Sequence, residues 1–170
     1  VDACCKILKE TKGIDITLSS VDLDDPFIYQ HLFDLKLRHG LFQIEADANY
    51  EVCRKVKPKD LEELSAVLAL ARPGAMQFVD QFANYTNNDV YEAIHPFFDD
   101  ILESTGGVCL YQEQMMKMAN KVGFTLDEAE ILRRIVGKKK VKEVRKWKKK
   151  IKDKIAENKI EKEVGDILWQ

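Results

Sequence analysis

The stretch that decides the fold is Thr125-Leu126-Asp127-Glu128-Ala129-Glu130-Ile131-Leu132-Arg133-Arg134-Ile135-Val136-Gly137-Lys138-Lys139-Lys140. Thr125 with Glu128 three residues later is a capping box, in which the hydroxyl accepts from one orphan amide and the carboxylate from another. Behind it Leu126, Ala129, Ile131, Leu132 and Ile135 recur at helical spacing, and Gly137 supplies the stop. The predicted element is a capped helix with one apolar face, followed by a glycine turn and a lysine triplet.

The same pattern extends in both directions. From Val141 to about Ala156 the apolar positions are Val141, Val144, Trp147, Ile151 and Ile155, one stripe among lysines. A last short helix holds Val164, Ile167, Leu168 and Trp169. Upstream, Met115, Met116, Met118, Ala119 and Val122 form a helical stripe closed by Gly123, and the methionines read as core. His95-Pro96 opens a helix through Phe97, Phe98, Ile101 and Leu102, which Gly106-Gly107 ends. Asp60 and Glu63 cap a helix through Leu64, Val67, Leu68 and Ala71; Pro73-Gly74 breaks it, and another helix runs from about Ala75 to Tyr85. Asp25-Pro26 starts a helix through Phe27, Ile28, His31, Leu32 and Leu35. Strand signals are confined to Leu41–Ile44 and Val108–Tyr111. The expected fold is mainly α, a multi-helix domain with at most one small strand pair.

At 45% hydrophobic the 170 residues can bury a core, which excludes a disordered chain. No apolar run reaches about 18 residues, so no membrane span is expected. The chain begins at Val1 with neither an initiator Met nor a signal peptide, the expected look of an internal piece of a longer protein. Cys4, Cys5, Cys53 and Cys109 form no C-x-x-C pair and read as reduced, partly buried thiols of a cytoplasmic protein. The net charge of -2 conceals an asymmetry: residues 131–162 hold 15 Lys and Arg against 4 Asp and Glu. A basic segment on an acidic body points to a polyanionic partner at one end.

There is no P-loop, dinucleotide fingerprint, nucleophile elbow or H-E-x-x-H run. His95 before Pro reads as a cap. The pairs Asp24-Asp25 and Asp99-Asp100 read as helix-start acids, because neighbours on a helix diverge by about 100° and do not converge on one ion. The remaining chemistry is cationic. Arg133 and Arg134 near a helix end, then Gly137, then Lys138, Lys139 and Lys140, could hold phosphate: Arg offers a rigid donor fork and Lys a mobile charge. Such a run is also what a solvated face looks like. The lysines after Val141 read equally as a solvated face, a nucleic-acid rail or a contact to an acidic partner.

Four runs, in order and spacing, resemble the α subunit of bacterial DNA polymerase III, the C-family replicative polymerase. They are Gly40-Leu41-Phe42-Gln43-Ile44-Glu45; Ala71-Arg72-Pro73-Gly74; Thr105-Gly106-Gly107-Val108 with Tyr111-Gln112-Glu113-Gln114-Met115-Met116; and Glu128 to Arg134 leading to Gly137-Lys138-Lys139-Lys140. Val21-Asp22-Leu23-Asp24-Asp25 is similar to a fifth stretch, and the likeness covers about residues 14 to 160. The resemblance implies that residues 1–170 are a fingers domain. A palm with metal-binding aspartates is then expected upstream, with the remaining fingers and a clamp-binding region downstream. It implies nucleotidyl transfer in the parent enzyme with Mg²⁺ held by the palm, no cofactor and no activity in this piece, and primed DNA, dNTP, a sliding clamp and other replisome subunits as partners.

By the same likeness Arg133, Arg134, Lys138, Lys139 and Lys140 are expected to meet nucleotide or phosphate. Arg72, Pro73, Gly74, Gln43, Gln112 and Gln114 are expected near template or nascent pair, with structural hydrogen bonding an equal reading for the glutamines. The chain departs from the family pattern at Ala75, at Glu130, where the family has Asp, at Ile135-Val136, and at Gly107, a position read as often Tyr. The competing class is a non-catalytic helical module that binds nucleic acid or protein.

Overall fold

The computed structural model describes residues 1–33, 39–137 and 141–169, with backbone alone at Phe33 and at 141–145. The described elements are α1 (Asp2–Lys12), α2 (Pro26–Phe33), α3 (Asp47–Val56), α4 (Leu61–Leu70), α5 (Val79–Asn88), α6 (Asp99–Leu102), α7 (Gln112–Val122), α8 (Leu126–Gly137), α9 (Val141–Glu157) and α10 (Lys162–Trp169), joined in places by single 3₁₀ turns. No strand occurs among the described residues.

The caps form as their residue types require. Thr125 Oγ1 accepts from the Glu128 amide at 3.2 Å, and Glu128 Oε2 accepts from the Thr125 amide at 3.0 Å, opening α8. Asp60 accepts from the Glu63 amide at 2.8 Å, while Glu63 reaches one residue further back, to the Lys59 amide. Asp25 accepts from the Phe27 amide and His95 Nδ1 from the Phe97 amide. Each bond satisfies an amide that a helix start leaves unpaired.

Three apolar clusters result. The largest joins Phe98 and Leu102 to Met118, Ala119 and Val122 of α7, Ala129, Leu132 and Ile135 of α8, Trp147, Ile151 and Ile155 of α9, and Val164 of α10. Phe124 packs on Trp147 with ring centroids 5.4 Å apart. A second cluster joins Val52, Cys53 and Val56 of α3 with Ala66, Val67 and Leu70 of α4 and Val79 and Phe82 of α5. A third, small one is Tyr29, Leu32 and Ile44. Burial pushes the Cys53 thiol up to about 11, so it stays protonated inside its cluster.

Neither expected strand forms. Leu41–Ile44 is a turn: Gln43 has φ 66, the Glu45 amide donates to Leu41 O at 3.1 Å, and the reversal lets Ile44 join Tyr29 and Leu32. Val108–Tyr111 is irregular and has no partner strand; its carbonyls and amides are met by side chains instead. Thr105 donates to Val108 O at 2.7 Å, and Gln114 Oε1 accepts from the Leu110 and Tyr111 amides. Sequence reading also missed α1 and α3. The stripe Tyr50, Cys53 and Val56 after Asp47 was the available signal for α3.

Gly106 and Gly107 lie between α6 and α7 with φ 62 and 82. A Cβ on Gly107 would stand 2.1 Å from the Glu92 carbonyl oxygen, so a tyrosine at this position is incompatible with the present backbone. Gln81 Nε2 from α5 donates to both Gly106 O and Glu92 O, fixing the two segments against each other. Gly107→Ala is expected to cost about 1–2 kcal/mol from the left-handed backbone alone, plus the clash. Chemical denaturation of the variant checks it; unchanged stability would show that the segment near Glu92 yields freely.

Candidate nucleotide and nucleic-acid interface

The burial of Ala129, Leu132 and Ile135 sets the rotation of α8. With that face inward, Glu130, Arg133 and Arg134 share the rim, at helical steps of three and four that bring side chains together. The geometry is tight. Arg133 Nε and Nη2 donate to the two oxygens of Glu130 at 2.6 and 2.7 Å, a bidentate fork. Arg134 Nε donates to Glu130 Oε1 at 2.8 Å. Arg133 Nη1 crosses to Gln112 Oε1, the first residue of α7, at 2.8 Å.

The two arginines are not equivalent. The Arg133 side chain is 28% exposed and held by three bonds, whereas that of Arg134 is 65% exposed and held by one. The guanidinium of Arg133, and then that of Arg134, hold the Glu130 carboxyl down to about 2. The trio is therefore one anion between two cations at neutral pH, with a net charge of +1. A depressed acid stabilises the fold above its ordinary value near 4.5, and that contribution disappears as pH falls through about 2. Glu130→Gln should therefore lower stability at pH 7, with the gap to wild type closing between about pH 4.5 and 2. Acid titration followed by circular dichroism checks this; a gap that persists at pH 2 would contradict it.

Gln114 has a different place. It is buried; its Oε1 takes two amides and its Nε2 donates to Ile101 O and Thr105 Oγ1 at 3.1 and 2.7 Å. That occupancy commits its side chain to holding the 105–111 turn. Gln43 is exposed on its turn beside Phe42, which is 85% exposed, and its carbonyl accepts from Asn49. Arg72, Pro73 and Gly74 form an exposed turn after α4, closed by the Ala75 and Met76 amides on Arg72 O. Lys138, Lys139 and Lys140, like Leu35, lie outside the described residues. Thus the structure joins Gln112 directly to Arg133, and Arg133 to Arg134 through Glu130. The Arg72 turn and Gln43 sit on other elements. Glu130 is the member that sequence reasoning passed over, although its spacing to both arginines was readable.

Three of the four acids in the two pairs serve the fold. Asp25 caps α2, Asp99 accepts from the Tyr91 hydroxyl at 2.7 Å, and Asp100 pairs with Lys121. Among the described residues no three His, Cys, Asp or Glu side chains gather as a metal-holding group. No described helix is long and apolar enough to cross a membrane.

The runs around Gln112 and Arg133 are 21 residues apart and meet in one hydrogen bond. Both belong to one known pattern: the bacterial DNA polymerase III alpha subunit finger domain matches residues 1–159. The chain is also 36% identical over 169 residues to DNA polymerase III subunit alpha of Aquifex aeolicus, covering 97% of this chain and 14% of that one. It is 34% identical over 157 residues to the Thermus aquaticus subunit, covering 88% and 13%. With the Mycobacterium leprae subunit it shares 40% over 141 residues, covering 78% and 12%. The chain belongs to the polymerase III alpha finger-domain family. It spans about one seventh of the length of these relatives. The all-helical described fold agrees with the mainly α expectation, and the family is the one that the four runs resemble.

Proposed function

We propose that this finger domain positions the triphosphate of an incoming deoxynucleotide, and the template beside it, for nucleotidyl transfer by the polymerase that carries it. The observation behind this reading is the α8 rim: a guanidinium fork held in place by Glu130 and Gln112, beside a second, exposed guanidinium.

The division of labour follows from the bonds. Arg133 is the frame, because moving it breaks three contacts. Arg134 is the hand, because it gives up one hydrogen bond to reach a phosphate oxygen. The Glu130 carboxylate lies where an anion is wanted, so an arriving triphosphate competes with it for Arg134. Charge set out in advance stabilises the negative charge that develops on the leaving pyrophosphate. Lys138, Lys139 and Lys140 follow in sequence and add to the same phosphate-binding role. The Arg72 turn is the template-side element. Gly74 has no positive φ and a Cβ there would meet nothing, so the turn leaves its backbone open to an outside group. Divalent metal chemistry, Mg²⁺ in this class, falls to residues of the parent polymerase beyond this chain. So do the clamp and replisome contacts, and this piece alone is expected to incorporate no nucleotide. The testing experiment is nucleotide kinetics of the parent enzyme with Arg133 and Arg134 replaced one at a time.

A further inference from the structure

The lysines of α9 are not used by the nucleotide site, and their arrangement is specific. Trp147, Ile151 and Ile155 fall on one side and are buried in the main cluster. With that side inward, Lys146, Lys148, Lys149, Lys150 and Lys152 are all exposed. Lys148 and Lys150 lie 5.1 and 4.6 Å from the ring centres of Trp169 and Trp147, which places their charges along the flanks. Lys154 pairs with Glu157 at 3.0 Å; Lys146, Lys149 and Lys152 have no ion pair among the described residues. At 1.5 Å per residue, five ammonium groups lie within about 10 Å of helix.

We propose that the outward face of α9 is a rail for the phosphate backbone of double-stranded DNA, separate from the triphosphate site on α8. Three observations favour DNA over a protein. Between Lys146 and Lys154 every apolar side chain except those facing the core is absent, so the face offers no anchor. Protein interfaces are depleted in lysine and built around aromatic or apolar anchors. Lysine is also a point charge without a fork, suited to sequence-independent phosphate contact. The remainder of the chain is acidic, with a net charge of -13 outside residues 131–162, so it repels a polyanion and turns this face towards it.

The test is fluorescence anisotropy of the 170-residue chain with a labelled mixed-sequence duplex, between about 50 and 200 mM salt. The variant is Lys146→Gln/Lys149→Gln/Lys152→Gln, which keeps helix propensity and spares the lysines beside tryptophan. Wild type should bind with a steep salt dependence. The triple variant should lose about two to three units of that slope and about tenfold or more in affinity, with an unchanged circular dichroism spectrum. Lys6→Gln/Lys12→Gln, at two exposed lysines of α1, should bind duplex like wild type; no nucleotide is present in the assay, so this result does not depend on the nucleotide reading. Duplex binding by the triple variant equal to wild type would overturn the proposal. So would the absence of wild-type binding, or equally tight binding of polyglutamate, which would mark a surface for acidic proteins.

Discussion

Arg134→Ala in the polymerase that carries this domain is expected to lower kcat/KM for a deoxynucleoside triphosphate by about 10–100-fold, the value of one charged hydrogen bond to phosphate, about 1.5–3 kcal/mol. The structure predicts this to be a loss of binding and not of folding. Arg134 is 65% exposed and its one partner, Glu130, keeps the bidentate grip of Arg133. An exposed pair of that kind contributes little to stability, so melting should hardly move. Arg134→Lys keeps the charge but not the fork and should fall between the two. The split between parameters is informative. A rise in KM at constant kcat places the contact in the ground state, whereas a fall in kcat places it on charge that develops during transfer. Arg133→Ala should also impair nucleotide use, by a second route: it removes the main partner of Glu130 and leaves that carboxylate to compete for Arg134. Unchanged kcat/KM in both variants would remove the α8 rim from the mechanism.

Phe98→Ala is expected to cost about 3–5 kcal/mol, the usual price of emptying a core aromatic site. Phe98 is fully buried and meets Phe97 edge-on at 5.2 Å, in the cluster that locks α7, α8 and α9 together. Domains are stable by only about 5–15 kcal/mol, so a large share of the total is at stake. The melting temperature should fall by about 6–20 °C at this chain length. Calorimetry of wild type, Phe98→Leu and Phe98→Ala should give a graded series. A drop below about 3 °C for the alanine variant would mean that the cluster collapses to fill the space. Because Phe98 belongs to the cluster of α7, α8 and α9, its loss should loosen the helices that present Gln112 and Arg133 before it affects the second cluster, of α3, α4 and α5.

Much of this was legible in the chain, for a physical reason. Helices are local: a cap, a stripe of period 3.6 and a terminating glycine lie within a dozen residues, so α8 could be read from Thr125 to Gly137 and α9 from its stripe. The short strand candidates failed because a strand needs a partner that no local pattern specifies. Leu41–Ile44 instead turned to bring Ile44 onto Tyr29, and Val108–Tyr111 took its hydrogen bonds from Thr105 and Gln114. The glutamines show the same limit. Gln112 and Gln114 stand two residues apart in one motif, yet one reaches Arg133 and the other is buried beneath the turn.

By itself, then, the sequence determined the helical class, the starts of α2, α4 and α8, the basic character of the segment from 131 to 162 and the family, because these rest on spacing and residue type. Tertiary structure alone decided which arginine is held and which is exposed. That choice depends on the rotation of α8 imposed by Ala129, Leu132 and Ile135, and on a glutamine from α7 that packing carries to within 2.8 Å. A guanidinium takes its role from what else lies within hydrogen-bond reach, and nothing along one helix states that.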